Sequence, residues 1–99
     1  MPKFLAVHPL PAPVTLEEAT PAGKLAKANS TVDAYWVGAW SQLDAAGKIV
    51  KILCHWNATS AEEVRKVLAK VPIPLEDIYP MMIVDAEDYK WHAGGDSSI

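Results

Sequence analysis

Two short segments, Thr15-Leu-Glu-Glu18 and Ser60-Ala-Glu-Glu63, constrain this chain more than any other feature. Each is a capping box, in which a hydroxyl accepts from the amide three residues on and a glutamate reaches back to the first residue's own amide. Each therefore fixes where a helix begins. Behind the second box, Val64, Val67, Leu68 and Val71 fall at i, i+3, i+4 and i+7, a single apolar face. Glu62 and Lys66 add a solvent-side pair in the favourable order. Behind the first box stands Pro21, which in a helix interior removes a hydrogen bond and clashes with the preceding turn. Thr20-Pro21 is itself a good cap followed by proline at a first helical position. The expectation is one turn over Leu16–Ala19, then the main helix from Pro21 to about Ala28, stopped by Asn29-Ser30-Thr31.

Strands account for the remainder. Lys3–His8 is a short apolar run closed by the loop-forming Pro9-Leu-Pro-Ala-Pro13. Asp33–Leu43 is aromatic and partly alternating, and Asp44-Ala-Ala-Gly47 supplies a hairpin turn into Lys48–Trp56. After the second helix, "VPIPLED" is a loop and Ile78–Val84 the last strand, with Pro80 suited to an edge or a bulge. From Glu87 onward the chain frays, so a single domain spans residues 1–90 and residues 91–99 form a flexible tail. The order is βαββαβ. With right-handed crossovers this predicts an α+β, ferredoxin-like fold: four antiparallel strands in the spatial order 4-1-3-2, with both helices on one face.

Charge narrows the function. Nine Lys and Arg against twelve Asp and Glu leave a net charge of −3, and Arg65 is the sole arginine. Nucleic-acid binding, which needs clustered cations, is therefore not expected. One cysteine cannot close an internal disulfide, the N-terminal apolar run is too short and proline-broken for a signal peptide, and no membrane span is visible. The expected setting is soluble and cytoplasmic.

The stretch Lys51-Ile-Leu-Cys-His-Trp-Asn57 concentrates chemistry-bearing residues. Strand alternation places Val50, Ile52, Cys54 and Trp56 on one face and Lys51, Leu53 and His55 on the other. The apolar set should meet the helices, which makes Cys54 a core residue and separates it from His55, so a Cys-His dyad is not expected. His55 lies on the face without helices. The neighbouring strand brings Trp36 and Trp40 with one parity and Tyr35, Val37 and Ala39 with the other, so either set leaves apolar surface there. Such a face marks an interface or a groove. The expectation is a homodimer, packed as a dimeric α+β barrel, with Trp36, Trp40, Lys51 and His55 as candidate ligand-binding residues.

His8, His55 and His92 are the candidate metal ligands. No paired-histidine or CxxC spacing occurs. His55, His92 and a carboxylate from Asp85, Glu87 or Asp88 could meet at one end of the sheet, whereas His8 would need partners from a second subunit. Imidazole with carboxylate suits nickel, zinc or copper. No P-loop, G-x-S-x-G or G-x-G-x-x-G is present.

"KILCHWNATSAEEVRKVL", a strand, a short turn and a capped helix, resembles the small ferredoxin-like proteins among which a nickel-binding member is known. That resemblance implies a homodimer and points to nickel as a candidate ligand. "VPIPLEDIYPMMIV", feeding the last strand, is similar to the muconolactone-isomerase type of dimeric α+β barrel, which implies a small-molecule pocket and proton transfer. Three functional expectations follow. The first is a dimeric protein binding a transition metal or small ligand at the open sheet face. The second is a cofactor-independent enzyme, of isomerase or monooxygenase type, with His55 as acid/base. The third is a structural module that uses the aromatic face only to dimerise.

Overall fold

The computed structural model describes residues 1–87 and, as backbone, 90–92. The elements are β1 (Lys3–Val14), α1 (Leu16–Ala28), β2 (Ala34–Leu43), β3 (Ile49–Ala58), α2 (Ala61–Leu68), β4 (Asp77–Met81), β5 (Ile83–Asp85) and β6 (Lys90–His92). The first four strands form one antiparallel sheet in the order β2-β3-β1-β4, the predicted 4-1-3-2 arrangement. Residues of α1 (Ala26) and of α2 (Val64, Val67, Leu68) join one core with Phe4, Ala6, Cys54 and Trp56, so both helices cover the same face. The ferredoxin-like βαββαβ order holds.

The caps do what their chemistry requires, with one difference. Thr15 and Glu18 exchange both bonds of a capping box, Thr15 N to Glu18 Oε1 at 2.9 Å and Glu18 N to Thr15 Oγ1 at 3.2 Å. At α2, Ser60 Oγ accepts from Glu63 N at 3.4 Å, but the Glu63 carboxylate turns to Lys66 at 2.9 Å. Lys66 therefore pairs with Glu63 rather than with Glu62, and Glu62 lies 3.8 Å from Arg65. The hairpin turn also follows expectation. Gly47 has φ +80°, and Asp44 Oδ1 accepts from both Ala46 N and Lys48 N at 2.9 Å.

Four local expectations are corrected. First, β1 runs through the prolines to Val14, with a register shift between Pro9 and Val14, where a loop was expected. Prolines that need not donate to a ladder are tolerated at such an irregularity. Second, α1 is one continuous helix from Leu16, not a turn followed by a helix from Pro21. Pro21 lies only six residues beyond the cap, where the helix is exposed, and the Thr20 hydroxyl donates to Leu16 O at 2.7 Å. Third, the expected strand Ile78–Val84 breaks at Met82: β4 stays on the sheet edge with Pro80, while β5 pairs with β6. β6 occupies positions assigned above to the tail, and residues 93–99 lie outside the described residues.

The fourth correction matters most for function. The register of β2 against β3 runs Trp36↔Trp56 and then Gly38↔His55, so Val37 is an extra residue. Such a bulge inverts the alternation that follows. Trp36 consequently packs on the helix side, while Trp40, opposite Leu53, lies on the other face and is 55% exposed. The two tryptophans do not share a face. A second shift between Gln42 and Leu43 puts Ile49, rather than Val50, among the residues beneath α1.

Because Trp56 has no exposed surface and Trp40 is half exposed, their truncations separate the two faces. Trp56→Ala should lower the urea-measured unfolding free energy by roughly 3–5 kcal/mol. Trp40→Ala should cost about 1 kcal/mol or less, and equal costs would contradict the face assignment.

Candidate functional site

The residues that α1 turns toward the sheet are Ala19, Ala22, Gly23 and Ala26, at i, i+3, i+4 and i+7. None has a side chain larger than a methyl group. At Gly23 the backbone comes so close to Trp36 that a Cβ would stand 3.4 Å from its Cη2. Elsewhere short side chains leave a gap unfilled over the sheet, and Trp36 and Trp56 both line it. The result is a cavity of about 350 Å³, within the usual size range of small-ligand sites. Ile49, Ile52, Leu68, Val71 and Ile73 complete its apolar wall.

A few polar groups interrupt that wall. His8 follows the parity of Phe4 and Ala6, pairs with Ile52, and so faces the helix side. Its Nδ1 lies 2.8 Å from the carbonyl oxygen of Pro74. A carbonyl only accepts, so Nδ1 carries the hydrogen and Nε2 carries the lone pair. His8 is 1% exposed, and burial lowers its pKa, with the Pro74 bond acting in the opposite direction. Near pH 7 the ring is therefore a neutral acceptor on the cavity wall.

Cys54 also lines the cavity. Burial pushes its thiol up to about 12, slightly offset by the Trp36 indole N–H, so it is inert as a nucleophile. That N–H approaches the sulfur without full hydrogen-bond geometry: Nε1 of Trp36 and Nε1 of Trp56 are both buried donors with no partner among the described residues. Leaving such donors unmet costs about 1–3 kcal/mol each.

The opposite face carries the other predicted residues. His55 is only 2% exposed although no helix covers its face. Trp40 stacks over it with ring centroids 6.5 Å apart and an interplanar angle of 18°. Its pKa is lowered by burial first, then by the charge of Lys3, with Asn57 acting the other way. Lys3 Nζ donates to Asn57 Oδ1 at 3.2 Å, and Asn57 Nδ2 donates to the Tyr35 hydroxyl at 3.0 Å. Lys51 pairs with Pro9 and Gln42, several rows away from His55 along β3. The expected group of Trp36, Trp40, Lys51 and His55 is thus divided by the Val37 bulge and by distance along the sheet.

The histidines are divided as well. His8 and His55 project from opposite faces, and the backbone of His92 pairs with Ile83 in the β5–β6 hairpin. The side chain of His92 and the whole of Asp88 lie outside the described residues, while Asp85 Oδ1 accepts from Glu87 N at 2.9 Å. Among the described residues no three His, Cys, Asp or Glu side chains gather as a metal would require. No helix there is long and apolar enough to cross a membrane.

The fold has a solved counterpart. The crystal structure of SCO4226 from Streptomyces coelicolor A3(2) superposes with a TM-score of 0.68, covering 84% of this chain and 99% of that one at 19% identity. The likeness is one of fold. No family model matches the chain, and no curated protein matches it significantly.

His8 and His55 titrate in the same sense. Each has a folded pKa lowered below its ordinary value of 6.5, so the unfolded chain binds more protons as pH falls below that value. Stability is therefore full above about 6.5 and declines as pH falls toward the lowered folded pKa values. Urea midpoints between pH 7.5 and 5 should drop, and less steeply in His8→Gln; a rise on acidification would contradict the burial of both rings.

Proposed function

We propose that this protein binds a small apolar organic molecule in the cavity between α1 and the sheet. The observation that carries the reading is the cavity itself: about 350 Å³ of space walled by aliphatic and indole side chains and interrupted by a neutral imidazole acceptor. A packed core of this size normally has no such space, since interiors approach crystal density. The expected occupant is flat, which suits Trp36 and Trp56, and carries a hydrogen-bond donor for His8 Nε2. At about 0.5 kcal/mol per non-hydrogen atom, a ten-atom aromatic would bind with Kd of order 10⁻⁴ M.

A cofactor-independent enzyme is the second reading, and one observation favours it. The Pro74 carbonyl holds His8 in the tautomer that a general base needs, with Nε2 unprotonated and the ring neutral near pH 7. The acid/base role expected of His55 passes to His8 in this reading, because Trp40 covers His55 and its Nε2 is buried. The nickel expected from the sequence would need ligands other than His8 and His55 of one chain together, since these lie on opposite faces.

Calorimetric titration with 2-naphthol, a neutral aromatic with one donor, tests the binding reading. Binding at roughly 10⁻⁴ M is expected. Ala22→Leu, which extends an isobutyl group into the space, should abolish it while leaving the melting temperature unchanged or higher. Undiminished binding in a folded Ala22→Leu protein would place the site elsewhere.

A further inference from the structure

The cavity has a charged rim. Lys24 and Lys27, one helical turn apart on α1, both contribute to its lining and both are exposed. Among the described residues no aspartate or glutamate lines it. That asymmetry occurs on a chain whose net charge is −3, so it does not follow from composition. Glu17 and Glu18 stand at the start of the same helix, where the Glu18 carboxylate is engaged by Thr15 N at 2.9 Å and lies within the field of Lys48. Among the described lining residues Lys24 and Lys27 are the only ones that carry a full charge near pH 7. Inside the rim the wall is apolar down to His8.

From this juxtaposition of an apolar interior and a cationic rim we infer that the natural ligand is an amphipathic organic anion. Its apolar body lies against Trp36, Trp56 and Ile52, and its carboxylate emerges between Lys24 and Lys27. This inference rests on the pocket proposed above and adds the class of its ligand. A carboxylate held at the rim keeps most of its hydration, so no buried charge has to be compensated. The lysine stems extend the apolar wall while their ammonium groups remain in water. Exposed ion pairs are weak, so two of them should favour the anion by roughly three- to tenfold over a neutral isostere.

The test compares 6-hydroxy-2-naphthoate with 6-hydroxy-2-naphthamide at pH 7, each keeping a hydroxyl donor for His8, by calorimetry on the full chain and on the Lys24→Gln/Lys27→Gln double variant. The acid should bind roughly three- to tenfold tighter than the amide. That ratio should fall to about one in the double variant, and should shrink at about 1 M salt, where the Debye length is only about 3 Å. Equal affinities in the unaltered protein would leave the pocket standing and overturn the anion. A preference that persists in the double variant would overturn the assignment to these lysines. If neither compound binds, the pocket reading fails, and the inference with it.

Discussion

The approach of α1 to the sheet is the constraint on which the rest of the structure depends. A helix packs closely when its side chains interdigitate with those beneath it, and α2 does so with Val64, Val67 and Leu68. Ala19, Ala22, Gly23 and Ala26 give α1 almost nothing to interdigitate, and its closest approach is made at Gly23 against the Trp36 indole. The one core that both helices cover is therefore closed beneath α2 and opens into a cavity beneath α1. The capping box at Thr15 supports α1 despite Pro21 and Gly23, which are poor helix formers. The helix behaves as a roof over the site more than as a part of the core.

Much of the architecture was legible because it rests on local chemistry. Thr15 and Ser60 mark helix starts through hydroxyl–amide bonds that need no tertiary partner, and Gly47 marks the hairpin through its positive φ. Element order then leaves few topologies, and the observed sheet is the one expected. Cys54 and Trp56 also reach the helix side as alternation predicts.

The site was less legible, and a single residue explains much of the failure. Alternation is reliable only while the register is unbroken, and Val37 breaks it ahead of Gly38. The glycine was a signal that a bulge could be present, but not on which side of it the parity would change. His8 was named as a metal-ligand candidate, and its place on the cavity wall was hidden for another reason. Its tautomer is set by the Pro74 carbonyl, sixty-six residues away in sequence, and no local pattern announces such a bond. The small residues of α1 were visible, yet a run of alanine and glycine at helical spacing describes close packing as readily as an empty pocket. Only the positions of Trp36 and Trp56 decide between them.

The two faces of the sheet divide the chemistry accordingly. Lys3, Asn57 and Tyr35 are joined by hydrogen bonds on the face that carries His55, and His8 with the indoles lines the cavity on the other. Mapping 2-naphthol by carbon-detected chemical shifts of the alanine and isoleucine methyl groups tests this division most directly. The account predicts saturable shifts concentrated at Ala22, Ala26 and Ile52. Methyl groups beneath α1 that stay unmoved, with shifts confined to Leu5 and Leu53 on the opposite face when the leucine methyls are read as well, would contradict it.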